Sequence, residues 1–274
     1  MRKATLEEVR SIQLELLSEF DIFCKSNGIQ YFAFAGTLLG TIRHKGFIPW
    51  DNDIDVAVSR ADYLKMRELL KPEDAHPYFR FLCYEDDSEY LWQHGRISAK
   101  HTYLQTARGY SKLGLSIDIF PLDSQGNDFN AAKQNLMKIR ECVQMRIMAY
   151  DKKYKTMKYP TTSSFFKKMN IWFQFNVLGH GTEEYWVKKH IYLAQIFNNQ
   201  GDSRYFGCNS NDKYTVVCER SMYDGVQYLP FEDRTIPVPN GYDEILHLYY
   251  GDYMKLPPKE KQVGAKQMTV YIKE

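Results

Sequence analysis

The chain opens with apolar residues at helical spacing. Leu6, Val9, Ile12, Leu16 and Phe20 recur every three or four residues through TLEEVRSIQLELLSEFDIFCKSNG. Thr5 is placed to cap this helix, Glu8 to close a capping box and Gly28 to end it. IQYFAFAG then predicts a short apolar strand ending at Gly36. GTLLGTIR predicts a helical turn or short helix, HKGFIPW a loop and DIDVAV a second strand. Ser59 with Asp62 caps a further helix. YFRFLCY, RISAK and LSIDIFPL are strand candidates, the last running into a proline. Residues 128–150 and 163–198 predict helices, and short β segments return around 204–240. GYDEILHLYYGDYMKLPP predicts a closing helix stopped by Pro257 and Pro258. The fold class is α/β in the α+β sense, a mixed sheet flanked by helices. The predicted parts are a core over 1–127, a helical insertion or subdomain over 128–200 and a return to the core over 201–274.

Composition narrows the class without changing the fold. At 274 residues, 44% hydrophobic and 26% charged, the chain is ordinary globular material. Its 36 Lys+Arg against 34 Asp+Glu create no overall field for nucleic acid. The charge is unevenly spread. Residues 131–170 carry ten Lys/Arg against Glu141 and Asp151 alone, which suits either a solvated helix face or an anionic partner such as phospholipid. Five scattered cysteines without a C-x-x-C pair predict neither a disulfide framework nor a structural zinc site, as in a reducing cytosol. No leader and no spanning helix are expected, because the longest run without Asp, Glu, Lys or Arg, Ser26 to Ile42, falls short of about 20 apolar residues.

The candidate chemistry lies in AGTLLGTIRHKGFIPWDNDIDVAV, where Asp51, Asp53 and Asp55 alternate. On a strand, Asp53 and Asp55 share one face while Ile54 and Val56 pack on the other. Paired carboxylates repel, and a hard divalent cation, Mg²⁺ or Mn²⁺, removes that repulsion. The plainer alternative is an acidic loop of turn and cap residues. Gly36 and Thr37, between strand and helix, would let a phosphate approach the backbone near a helix N-terminus, an arrangement that resembles the nucleotidyltransferase pattern. Asp118, between Ile117 and Ile119, needs a partner because a bare buried charge is expensive. A metal ion or a neighbouring arginine would serve. No G-x-S-x-G, H-E-x-x-H, Walker A loop or G-x-G-x-x-G is present.

GTLLGTIRHKGFIPWDNDID resembles the signature of the LicD family of phosphocholine transferases, which also includes fukutin and fukutin-related protein. RISAKHTYLQ, LSIDIFPLD and PVPNGYDEILHLYYGDYMKLPP follow in the family's order, so the resemblance covers about 29–123 and 228–258. It implies a nucleotidyltransferase-like fold and transfer of a phosphorylated alcohol from a CDP-activated donor to a sugar hydroxyl, with CMP released. CDP-choline is the favoured donor, and a glycopolymer or lipid-linked precursor such as teichoic acid the acceptor. Ribitol or glycerol phosphate transfer, a true nucleotidyltransferase releasing pyrophosphate, and a non-catalytic binding protein are the alternatives. Asp53 and Asp55 match the paired metal carboxylates, and Asp118 matches the third. Asn52 stands where the family often has Asp. A His that many members carry beyond the PP pair is missing from PPKEKQVGAKQ.

The resemblance implies further roles beside the aspartates. Arg43, His44 and Lys45 form either an exposed basic turn or a diphosphate clamp, Arg by bidentate contacts and Lys as a point charge. Trp50 is the first candidate for holding a choline ammonium against an aromatic face, ahead of Tyr84, Tyr90 and Trp92. Phe165, Phe166, Ile171, Trp172, Phe173 and Phe175, beside Lys167 and Lys168, predict either the packing of the helical block or an interfacial helix. The expected place of work is cytoplasmic, with peripheral contact at the inner face of an anionic membrane.

Overall fold

The structure, a computed structural model, describes residues 1–154, 173, 180–199, 202–208, 216–262 and 269–273. Helix α1 (Leu6–Ser26) begins at the predicted capping box. The Thr5 hydroxyl accepts from Glu8 N, and the Glu8 carboxylate accepts from Thr5 N. Its Ile12, Leu16, Leu17 and Phe20 are buried in the main core.

A seven-stranded mixed sheet forms the centre. Its main path runs β2 (Tyr31–Ala33), β3 (Ile54–Ser59), β7 (Ser116–Ser124), β5 (Gly95–Ala99) and β4 (Phe79–Leu82). β8 (Tyr205–Cys208) and β9 (Cys218–Glu219) extend it from the far end of β7. Only the β3–β7 pair is parallel. β7 runs through Pro121. On the side opposite β3, the β5 pairing ends at Ile119 and the β8 pairing begins at Leu122. Pro121, which has no N–H, falls in the gap between them.

Helix α2 (Ala35–His44) joins β2 to β3, and α3 (Arg60–Leu69) follows β3 with Ser59 as its cap. β6 (Thr102–Gln105) leaves the main sheet and pairs with β12 (Thr269–Ile272), which pairs with β1 (Arg2–Lys3). α4 (Phe129–Tyr154) packs on α5 (Glu183–Gln195), whose N-cap is Thr182. The hairpin of β10 (Val226–Phe231) and β11 (Arg234–Pro239) lies against α2 and β2. In its turn Glu232, at φ 55, donates its N–H to the Lys45 carbonyl, and its carboxylate accepts from Phe47 N at 2.9 Å. The last helix, α6 (Tyr242–Tyr250), ends at Gly251, which adopts φ 67. It therefore stops six residues before Pro257, because the glycine leaves the helical region first.

Of the predicted basic aromatic segment, Phe165, Phe166, Lys167, Lys168, Ile171, Trp172 and Phe175 lie outside the described residues, and Phe173 is exposed. Cys24, Cys83, Cys142 and Cys218 are buried free thiols. No helix among the described residues is long and apolar enough to cross a membrane.

Candidate active site

The parallel β3–β7 pair places Asp55 directly opposite Asp118. Side chains at register partners leave the sheet on the same face, so both carboxylates stand on one side of the two central strands. Asp53 lies just before β3, two residues from Asp55 and on the same face. α2 is fastened to Asp55 through both of its backbone groups. Phe34 N donates to the Asp55 carbonyl at 3.0 Å, and Asp55 N donates to the Thr37 hydroxyl at 2.8 Å. The loop carrying Asp51 to Asp53 is held from α1, where Gln13 Nε2 donates to the Asn52 carbonyl at 2.7 Å.

Gly36 is required by close approach. A Cβ built there would lie 2.6 Å from Asp51 Oδ2. The residue before it, Ala35, is buried at φ 45, a conformation that strains a non-glycine backbone. Strain and tight contact thus fall where the Asp51 carboxylate meets the start of α2.

Electrostatics unite the aspartates. Burial, then Asp51 and Asp118, push the Asp53 carboxyl up to about 8. Burial, then Asp53 and Asp118, raise Asp55 well above the carboxylate range, and the Arg96 charge opposes them. Asp118 behaves oppositely. Burial favours its neutral form, but Arg96 and His94 outweigh that and hold it well below the usual range. Arg96, its register partner on β5, donates Nε to Asp118 Oδ1 at 2.6 Å and Nη2 to Oδ2 at 3.0 Å. His94 Nε2 lies 3.0 Å from Oδ2. Of the two partners that sequence leaves open for Asp118, the structure provides the arginine.

The donor set suits a hard divalent ion. It is all oxygen, it holds more carboxylates than Arg96 can balance, and the burial and mutual repulsion that raise Asp53 and Asp55 are what a cation would relieve. A carboxylate has about four lone-pair sites, and Arg96 and His94 use three on Asp118, leaving one on Oδ1. The Asp118 side chain keeps 18% exposure, so that position meets solvent. Among the described residues no three His, Cys, Asp or Glu side chains already stand in a metal-holding arrangement. Rotation of the Asp53 and Asp55 side chains toward Oδ1 is therefore part of any such site.

Gly36, Thr37, Asp51, Asp53, Asp55 and Asp118 come together. Arg43, Lys45 and Trp50 make their contacts elsewhere. Arg43 sits about 12 Å along α2 from Ala35, and its Nη1 donates to the Tyr253 carbonyl at 2.8 Å. Lys45 is an exposed left-handed cap at φ 57. Trp50 meets His44 edge-on at 6.3 Å. The Tyr84 hydroxyl donates to Glu184 Oε1 at 3.2 Å, and Tyr90 is fully buried, so Tyr90 offers no open face for a cation. Sequence reasoning passed over His94 and Arg96. Their signal is the alternation Trp92, His94, Arg96 in WQHGRIS, leading into β5.

A family model described as LicD/FKTN/FKRP, nucleotidyltransferase domain, matches residues 28–146. The lipopolysaccharide cholinephosphotransferase LicD of Haemophilus influenzae is 31% identical over 277 residues, covering 99% of this chain and 100% of that protein. An uncharacterized protein of Rickettsia typhi is 29% identical over 85 residues, 31% of this chain and 26% of that protein. One of Rickettsia prowazekii is 34% identical over 56 residues, 20% of this chain and 21% of that protein.

Proposed function

This chain belongs to the LicD family, and on that premise we propose that it is a transferase moving phosphocholine from CDP-choline to a hydroxyl of a cell-surface glycopolymer, releasing CMP. The observation that carries the reading is the full-length similarity to a cholinephosphotransferase. The buried aspartate cluster on β3 and β7 supplies a place for the chemistry. A lipopolysaccharide or teichoic acid precursor is the acceptor class, handled at the cytoplasmic face of the membrane.

Asp53 and Asp55, with the open lone pair of Asp118, would hold Mg²⁺ or Mn²⁺, which when bound neutralises diphosphate oxygens and the charge growing on the leaving CMP. The acceptor hydroxyl attacks the distal phosphorus of the donor, forming a phosphodiester, breaking the bond to CMP and giving up its proton to the leaving phosphate or to solvent. Asp118 is too weak a base, with Arg96 on both its oxygens, to take the hydroxyl proton efficiently. Orienting that hydroxyl through Oδ1 suits it better. Gly36 and Thr37 set the distance between α2 and the carboxylates. Arg43 and Lys45 remain candidates for the outer end of the donor, and Trp50 for its ammonium.

The test is a purified assay with Mg²⁺, an acceptor glycan and CDP-choline, CDP-ribitol or CDP-glycerol, following CMP and pyrophosphate separately. CMP release with CDP-choline and acceptor is expected. Pyrophosphate release would replace this reading with nucleotidyl transfer, and a preference for CDP-ribitol or CDP-glycerol with polyol-phosphate transfer.

A further inference from the structure

Three arginines from three separate segments meet beside the aspartate cluster. Arg96 comes from β5, Arg108 from the turn between β6 and β7, and Arg146 from α4. Trp92 joins the first two, with the Arg96 guanidinium carbon 5.0 Å and the Arg108 carbon 4.5 Å from its ring. Arg108 also lies 5.5 Å from the Tyr150 ring. Arg108 Nη2 donates to Glu183 Oε1 at 2.6 Å. Arg146 Nη1 lies 3.8 Å from the same oxygen and donates to the Leu91 carbonyl at 3.4 Å.

The charges do not balance. With Arg96 taken up by Asp118 and the aspartate cluster beyond it, Arg108 and Arg146 share a single acid among the described residues, Glu183. The side chains of Arg108, Arg146 and Glu183 are 6%, 13% and 3% exposed, so water does not screen the surplus. Burial, with Arg108 and Arg96 nearby, lowers the Arg146 pKa, as expected for a cation lacking its full counter-charge. Among the described residues, Arg108 Nε and Nη1 and Arg146 Nε have no hydrogen-bond partner, and on the acid side neither has Glu183 Oε2. Buried charged donors without acceptors are strongly unfavourable unless a ligand supplies them. Ala107 and Gly109, on either side of Arg108, are exposed, and a Cβ on Gly109 would meet nothing within 4 Å.

We propose that Arg108 and Arg146 form an anion subsite for the diphosphate of the nucleotide donor, linked to the aspartates through Trp92 and Arg96. The inference rests on the donor reading above and adds to it the groups that grip the phosphates. Guanidinium forks match phosphate oxygens in pairs, and an anion here removes the surplus positive charge. A phosphate carried by the acceptor glycan has the same chemistry, so the source is decided by the probes.

The experiment measures thermal shift and calorimetric affinity on the full chain in EDTA at low salt, with inorganic pyrophosphate, CDP and glucose 1-phosphate. Pyrophosphate and CDP are expected to raise the wild-type Tm and to bind more weakly as salt rises. Arg108→Lys and Arg146→Lys keep the charge but lose the fork, and each should weaken both ligands at least ten-fold. No wild-type response to pyrophosphate, or lysine variants with wild-type Tm and wild-type affinity, overturns the subsite. Binding of pyrophosphate but of no cytidine diphosphate, with or without Mg²⁺, supports the subsite while removing the donor reading. Glucose 1-phosphate binding more tightly than CDP assigns the arginines to the acceptor and overturns the donor assignment.

Discussion

Asp55 and Asp118 are paired residue to residue across the one parallel junction of the central sheet. Their spacing is set by backbone ladder geometry, not by the loop that carries Asp51 and Asp53. Carboxylates in such fixed opposition repel, and the fold keeps them together at a cost in stability.

That cost gives the first prediction. Asp55→Asn removes a buried carboxyl whose charged form burial and its neighbours disfavour, so the metal-free protein should melt at an equal or higher temperature. Turnover should fall by about 100-fold or more, the scale of losing a key electrostatic contact in the transition state. Calorimetric Tm and CMP release check it together, and a variant that melts lower while still turning over would contradict it.

Arg96 should behave in the reverse way. Arg96→Ala leaves Asp118 buried with His94 as its remaining side-chain partner and should destabilise the fold by about 3–5 kcal/mol. Arg96→Lys keeps the charge but not the two-pronged grip, and should cost activity about 10–100-fold with a smaller stability loss. Urea denaturation beside steady-state kinetics separates the two effects.

Gly36→Ala tests the contact between α2 and Asp51. The new methyl would meet Oδ2 at 2.6 Å and displace the carboxylate. The fold should persist, because the obstacle is the end of a side chain. Activity should drop by up to about 100-fold, as expected when a reacting site is misplaced by an ångström. Wild-type kinetics in this variant would show that Asp51 takes no part.

His190 on α5 provides a pH prediction. Burial, then the charges of Arg146, His94 and Arg60, lower its pKa from 6.5 to about 3. The folded protein keeps it neutral, whereas the unfolded chain protonates it below 6.5. Its contribution is therefore intact above pH 6.5 and lost as pH falls toward 3. The slope approaches about 1.4 kcal/mol per pH unit. Urea midpoints across that range should fall less steeply in His190→Gln, and parallel curves would rule the group out.

Local rules made several elements legible. The Thr5–Glu8 box and the Ser59 cap formed as written, and Asp55 lies on β3 with Asp53 just before it. What escaped depended on partners distant in sequence. Asp118 gains Arg96 only because β5 adds antiparallel to β7 in one particular register. Pro121 is accommodated inside β7 because it falls in the gap between the β5 and β8 pairings. Arg43 has clamp chemistry, but its position is set by a carbonyl 210 residues away. Short-range pattern names the side chains, and strand order decides which of them meet.

The clasp at Glu232 ties early and late parts of the chain together. Its backbone and carboxylate grip Lys45 and Phe47 from a hairpin formed 185 residues later. A truncation after residue 146 would retain every aspartate of the cluster yet release the loop leading into it. On the ribosome, the same dependence delays a competent centre until the hairpin has emerged, so the catalytic half of this enzyme is not a module that can be transplanted by itself.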